Sequence, residues 1–244
     1  LGRTATPHRR SAGPPAGGEA TRERLVHIAI ELADADGIEA VSVRAVAHRA
    51  GLSADRVHRW VRNRDDLVGA MVERVLLDDR ARAAARPTPT DPREHLAQLA
   101  RQEWELYRRH PWLLPVLATT RPPTSRVVLD MVGRTVAVLI RAGYRPDDAF
   151  AAYLAVSGYV QGMALLPVAE RAEQRAGAPA WETWWPATRA RLAAAGWPSS
   201  HAWLPAAGRY DRDPEATFDR WFDFGLARLL DGLVTVGHSG GDPA

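Results

Sequence analysis

Cysteine is absent from the 244 residues, and so is lysine. Without cysteine there can be no disulfide framework, no thiolate metal site and no cysteine nucleophile. Long apolar runs are missing too: none approaches the roughly 18 residues a membrane helix needs. No apolar stretch follows Arg9 and Arg10 as a secretory signal would require, so a cytoplasmic location is expected. The eight histidines fall into no H-E-x-x-H or comparable ligand spacing, and neither a metal nor a cofactor is expected. One catalytic string does occur. Gly237-His238-Ser239-Gly240-Gly241 satisfies G-x-S-x-G, but a nucleophile elbow needs a parallel sheet before it and a helix after it. Neither pattern is present, so 237–244 is expected to be a flexible tail and not part of an enzyme.

What is present is an uneven distribution of positive charge. All 32 basic residues are arginine, against 29 acidic ones. Residues 1–64 hold 11 Arg and 7 Asp or Glu, and residues 41–64 alone hold six Arg and a single acid, Asp55. The remainder is close to neutral. A basic segment on a near-neutral body suits a polyanionic partner, although a solvated arginine-rich helix face gives the same count.

Everything after residues 1–19, a Gly/Pro/Ala-rich stretch read as a disordered basic arm, carries helical periodicity. Thr21 is placed to cap a first helix with Leu25, Ile28, Ala29, Leu32 and Ala33 inward and Gly37 as its stop. Ser42 caps a short helix, Gly51 breaks it, and Ser53 caps another with Val57, Trp60 and Val61 inward. Asn63 precedes a longer helix over 65–81, with Asp65 and Asp66 complementing its dipole. Proline-punctuated helices follow: 92 to about 110, a short one to Thr119, 124–142, 147–173, roughly 182–195, and 214–235. The expected class is all-α. A three-helix DNA-binding domain over 20–66 would be joined by the 65–81 helix to a helical domain over 67–236.

Ser42 to Leu67 is the informative segment. Two short amphipathic helices meet at a tight turn, Arg49-Ala50-Gly51-Leu52-Ser53, with the small Ala47 where they would touch. A helix-turn-helix needs this arrangement to expose its second helix to a major groove. An αα-hairpin inside a bundle would share the spacing but not the arginine excess.

The run Val41-Ser42-Val43-Arg44-Ala45-Val46-Ala47-His48-Arg49-Ala50-Gly51-Leu52-Ser53, continued by Val57-His58-Arg59-Trp60-Val61-Arg62-Asn63-Arg64-Asp65-Asp66-Leu67, resembles the signature of the tetracycline-repressor (TetR) family. The likeness is strong over about 45 residues and weaker beyond, at Thr120-Arg121-Pro122, Gly143-Tyr144 and Phe224 to Gly232. It implies a homodimer on a palindromic operator in double-stranded DNA, answering to a small-molecule effector. By resemblance, Arg44 would read guanine through O6 and N7. Ala54, Asp55, Arg56, His58 and Arg59 would form the exposed recognition surface, Ser53 and Arg64 would hold phosphate, and Ser42 would be a further DNA-binding residue. Asp55, His58, Trp60 and Val61 depart from the family's usual residues, so no relative's operator sequence transfers.

In the C-terminal part, Ala151, Ala155, Gly158 and Gly162 line one side of a helix, and Trp221, Phe222, Leu226 and Leu229 offer a bulky complement. The resemblance implies that these form a four-helix dimer interface. An apolar, ring-containing effector is expected among Trp104, Tyr107, Leu117, Thr120, Tyr153, Ser157 and Gln161. Leu117, Arg80 and Leu166 stand where the family's prototype uses a metal-binding histidine, a drug-contacting histidine and an acid, which disfavours a magnesium–tetracycline complex. Three readings follow: a ligand-gated regulator, a DNA-binding protein of the same fold without an effector, and a helical enzyme. The last is disfavoured, since no nucleophile–base or carboxylate pair stands at a compelling spacing.

Overall fold

The computed structural model describes residues 16–85, 87–119, 125–197 and 214–237. Among them ten α-helices and one 3-10 turn, Ile38–Ala40, are found, with no strand. The helices are α1 Ala16–Asp36, α2 Val43–Ala50, α3 Ala54–Val57, α4 Arg64–Ala83 and α5 Pro92–Arg109. They continue as α6 Leu113–Leu117, α7 Arg126–Arg141, α8 Pro146–Arg175, α9 Trp181–Ala194 and α10 Pro214–Gly237. Thr120, the Gly237-to-Gly241 string beyond its first residue, and most of the expected arm lie outside the described residues.

Capping sets the boundaries of the N-terminal unit. The Ser42 hydroxyl accepts from Ala45 N at 3.1 Å, Ser53 from Arg56 N at 3.4 Å, and the Asn63 amide oxygen from Asp66 N at 2.8 Å. Each satisfies one of the orphan donors at a helix start. Gly37 (φ 88°) and Gly51 (φ 68°) end α1 and α2 in the left-handed region, where a Cβ would be strained. Thr21, expected as a cap, is instead inside α1, which begins at Ala16. Helix-favouring Ala16, Glu19 and Ala20 extend the first turn past the two intervening glycines.

Leu25, Ala29 and Ala33 of α1, Val46 of α2, Val57 of α3, Val61, and Leu67 and Met71 of α4 are fully or nearly fully buried, at the N-terminal end of a core that continues into the later helices. Burying each such side chain contributes about 1.5–3 kcal/mol for the larger aliphatics. In the second unit, α5 is the central rod, packed on α7, α8 and α10, while α4 leans on α7. Asp91 caps α5 by accepting from Glu94 N at 2.8 Å, with Pro92 at the first turn.

Helix α8 corrects one expectation. Its 30 residues include an 18-residue window of mean hydropathy 1.4, long and apolar enough to cross a membrane by length and composition. Ala, Gly, Tyr and Ser dilute its apolar character, so it does not read as a run of large hydrophobes. In the fold α8 packs against α5, α6, α7 and α10.

Two polar links tie the units together. At the end of α1, Asp34 accepts from Trp112 Nε1 at 2.8 Å and from His110 Nδ1 at 2.9 Å, both from the segment between α5 and α6. Arg109 at the end of α5 donates to Asp79 of α4 at 2.7 Å. The segment between α5 and α6 is thus tied to α1, and the end of α5 to α4.

Candidate nucleic-acid interface and effector sites

Helix α3 is four residues long, and of its side chains only Val57 is buried. Asp55, Arg56, His58 and Arg59 are exposed around it, and Arg44 projects from the exposed face of α2. Arg44 and Arg56 have no carboxylate within ion-pair distance among the described residues, and Arg59 lies over the Trp60 ring at 5.3 Å. Trp60 is half-buried against the core, in keeping with a packing role. His58 is held through its Nδ1 near Val61 O at 3.3 Å, which orients the ring without burying it. Unpaired guanidiniums on a rigid, capped surface suit phosphates and guanine edges. Asp55 faces solvent in the first turn of α3, where its charge complements the helix dipole.

Arg64 is placed differently from its expected role. Its Nε donates to Val41 O at 3.0 Å and one terminal nitrogen donates to Ile38 O at 2.8 Å, so the guanidinium braces the 3-10 turn against α4. Ile38 O also accepts the turn's own bond from Val41 N at 3.2 Å, so there the guanidinium adds a second donor. Arg64→Ala should therefore lower stability by about 1–3 kcal/mol, read as a lower thermal midpoint of the free protein. Unchanged melting with weakened binding to all DNA would restore a phosphate role. The start of α4 is reinforced by Asp66, whose carboxylate accepts from Arg62 N at 3.0 Å. This backbone hydrogen bond lowers its pKa more than any other influence.

The α8–α10 face carries a second surface. Phe150, Leu154, Leu165 and Leu166 of α8, and Trp221 and Phe224 of α10, are 40–66% exposed. Ala151, Ala155, Gly158 and Gly162 lie exposed on α8, and a Cβ added at either glycine would meet open space. Phe222 and Leu226, expected on this face, are buried in the chain's own core at 2% and 1% exposure. The α10 stripe is wide enough to serve two faces. Its positions 218, 222, 226 and 230 turn inward, Phe222 stacking on Trp104 at 4.6 Å, while Trp221 and Phe224 turn out. Leu229 is only half-buried.

The expected effector residues separate into groups. Ser157 donates to Glu103 Oε2 at 2.9 Å, and Gln161 Nε2 donates to Ser157 at 3.3 Å. Tyr107 and Tyr153 complete this buried polar cluster between α5 and α8. Burial pushes the Glu103 carboxyl up to about 7, with the Ser157 hydrogen bond acting the other way. Burial, and then the Glu103 charge, raise the Tyr153 phenol to about 12 and the Tyr107 phenol further still. Trp104 is occupied elsewhere, donating to Asp219 at 2.9 Å. With Tyr107 and Phe218 it lines a cavity of only about 30 Å³. Leu117 is half-buried at the end of α6.

The sequence reading passed over Glu103, though a signal existed: it interrupts the apolar stripe Leu96, Leu99, Ala100, Leu106 and Tyr107 on α5. It also passed over a cleft roomier than the cavity at Trp104. About 400 Å³ opens on the other side of α5, between α4 and α7, and none of the expected effector residues lines it. Trp185 of α9 stacks on Trp181 at 5.6 Å and on Trp184 at 6.0 Å, while Trp181 and Trp184 meet tilted at 5.1 Å.

A capped helix-turn-helix with an exposed arginine surface, mounted on an all-helical domain, defines a DNA-binding transcriptional regulator. A family profile described as the tetracyclin repressor-like, C-terminal domain matches residues 86–236. The HTH-type transcriptional repressor DrrR1 of Streptomyces coeruleorubidus is 33% identical over 235 residues, covering 92% of this chain and 81% of the relative. The crystal structure of a possible TetR family transcriptional regulator from Streptomyces coelicolor A3(2) superposes at a TM-score of 0.65. It is 28% identical and covers 88% of this chain and 99% of that one. The fold is also that of the Streptomyces coelicolor protein ActR in complex with actinorhodin, at 23% identity and a TM-score of 0.64, over 91% and 98% of the two chains. The chain belongs to the tetracycline-repressor family of transcriptional regulators.

Proposed function

We propose that the chain is a homodimeric repressor that leaves a palindromic operator when a small, ring-containing effector binds its C-terminal domain. The observation that carries this reading is the unpaired Arg44 and Arg56 beside an exposed α3, braced from beneath by Val46, Val57 and Val61. One helix-turn-helix reads few bases, and the exposed apolar α8–α10 face offers the means of pairing two. DrrR1 is named a repressor, which supports the direction of control. A cytoplasmic location accords with that role.

Effector binding in the C-terminal domain would move α6. Through the Asp34 link and α4 it would change the separation of the two recognition surfaces from the roughly 34–36 Å that successive major grooves require. A coupling of about 1–3 kcal/mol would weaken operator binding about 5- to 150-fold.

The test is footprinting and anisotropy titration on DNA flanking the gene. Binding should weaken steeply with salt. Arg44→Ala should cost about 1–3 kcal/mol at one base position and relax specificity there. A protein indifferent to DNA at low ionic strength, or an Arg44 effect equal on all sequences, would overturn these assignments. A same-fold regulator without an effector would bind the operator yet respond to no ligand.

A further inference from the structure

The cleft between α4, α5 and α7 has an apolar floor and a cationic rim. Leu99, Val127, Met131 and Val138 form the floor. Arg80 of α4 and Arg134 and Arg141 of α7 line it as well, and all three are exposed. None of these arginines has a carboxylate within ion-pair distance among the described residues. The one acidic residue lining the cleft, Asp79, is held by Arg109 at 2.7 Å. Elsewhere on this chain arginines routinely take acidic partners, as Arg93 does with Asp231, Arg101 with Asp223 and Arg108 with Asp219.

His95 of α5 lines the same cleft. Both of its ring nitrogens are shielded from solvent and have no hydrogen-bond partner. Buried polar groups are normally satisfied, so an orphaned ring beside an open cleft is available to hydrogen-bond a ligand atom there. Burial, and secondarily the nearby Arg141, lower the pKa of His95, which keeps the ring neutral and able to donate one N–H. Gln98 and Gln102, one and two turns further along α5, add neutral donors and acceptors on the same wall.

We infer that this cleft binds an amphipathic organic anion, an apolar ring system bearing an acidic group that Arg134 and Arg141 engage and that the His95 N–H can reach. The inference rests on the effector-responsive reading and specifies its ligand. Guanidinium–anion hydrogen bonds are about twice as strong as neutral ones and give such a ligand its orientation. The apolar floor takes the ring, as in small-molecule sites generally.

The test uses the full chain and two fluorescent probes, 8-anilinonaphthalene-1-sulfonate and its uncharged counterpart N-phenyl-1-naphthylamine. Wild type is compared with Arg134→Gln/Arg141→Gln and with Arg126→Gln, a charge loss on α7 away from the cleft. The sulfonate should bind the double variant at least about tenfold more weakly, the neutral probe should change less than about twofold, and Arg126→Gln should match wild type. Because these arginines are exposed, the melting temperature should not move. Failure of the sulfonate to bind wild type, or the same response of both probes to the double variant, would overturn the inference. Titrating preformed operator complex with each probe separates the two readings. Arginine-dependent sulfonate binding without operator release leaves the anion site standing and ends the effector role. Release by the neutral probe alone, without arginine dependence, does the reverse.

Discussion

Replacing Leu154 and Phe224 together by glutamate should convert the protein to a monomer and lower its operator affinity by about 100-fold or more. Both side chains are exposed in the protomer, at 51% and 66%, so the substitution removes nothing from the chain's own core. What it removes is the apolar cover that a second copy would share. Glycines 158 and 162 lie alongside with open space above them, which would let a partner helix approach closely. Two half-site readers joined in one particle bind the second half-site at high effective concentration, and that advantage disappears on dissociation. Sedimentation velocity gives the oligomeric state, and anisotropy on full and half operators gives the affinity. A variant that stays dimeric with wild-type operator binding would place the pairing surface elsewhere.

Glu103→Gln should stabilise the protein at pH 8 and leave it unchanged near pH 4.5. The Glu103 carboxyl is fully buried, and its pKa stands at about 7 against an ordinary value of 4.5. The folded state holds the proton more tightly than the unfolded chain does. Its contribution is complete below pH 4.5 and is lost as pH rises through 7. Across that interval wild type loses about 3 kcal/mol, an amount the amide would not lose. The Gln oxygen can still accept from Ser157, so the hydrogen bond survives. A melting-temperature difference of roughly 6–10 °C at pH 8, vanishing under acid, is the expected signature. Parallel pH profiles for the two proteins would mean that Glu103 is solvated.

The N-terminal unit was legible because its information is local. Ser42, Ser53 and Asn63 cap their helices as their positions in sequence require, and Gly37 and Gly51 supply the two left-handed turns. Each of those decisions involves atoms within a few residues, which periodicity and capping preferences can read. The C-terminal site was harder because its decisions are tertiary. The stripe on α10 is apolar on two sides, and nothing in the spacing of Phe222 and Leu226 says which side meets α5. Arg64 presents the same difficulty, since its partners Val41 and Ile38 are brought near by the fold and not by the motif. Glu103 was visible as a charge on an apolar stripe, but its meaning depends on Ser157 across the helix pair. The arginines of the open cleft come from α4 and α7, separated by some 50 residues, and only packing collects them.

The shortness of α3 has a consequence for how such a protein diversifies. Val57 is its single anchor, and the neighbouring side chains that would face DNA contribute little to folding. Exchanges at 54, 55, 56, 58 and 59 can therefore redraw which sequence is recognised while stability stays nearly constant, so duplicated copies of the gene could drift to new binding sites through folded intermediates at every step.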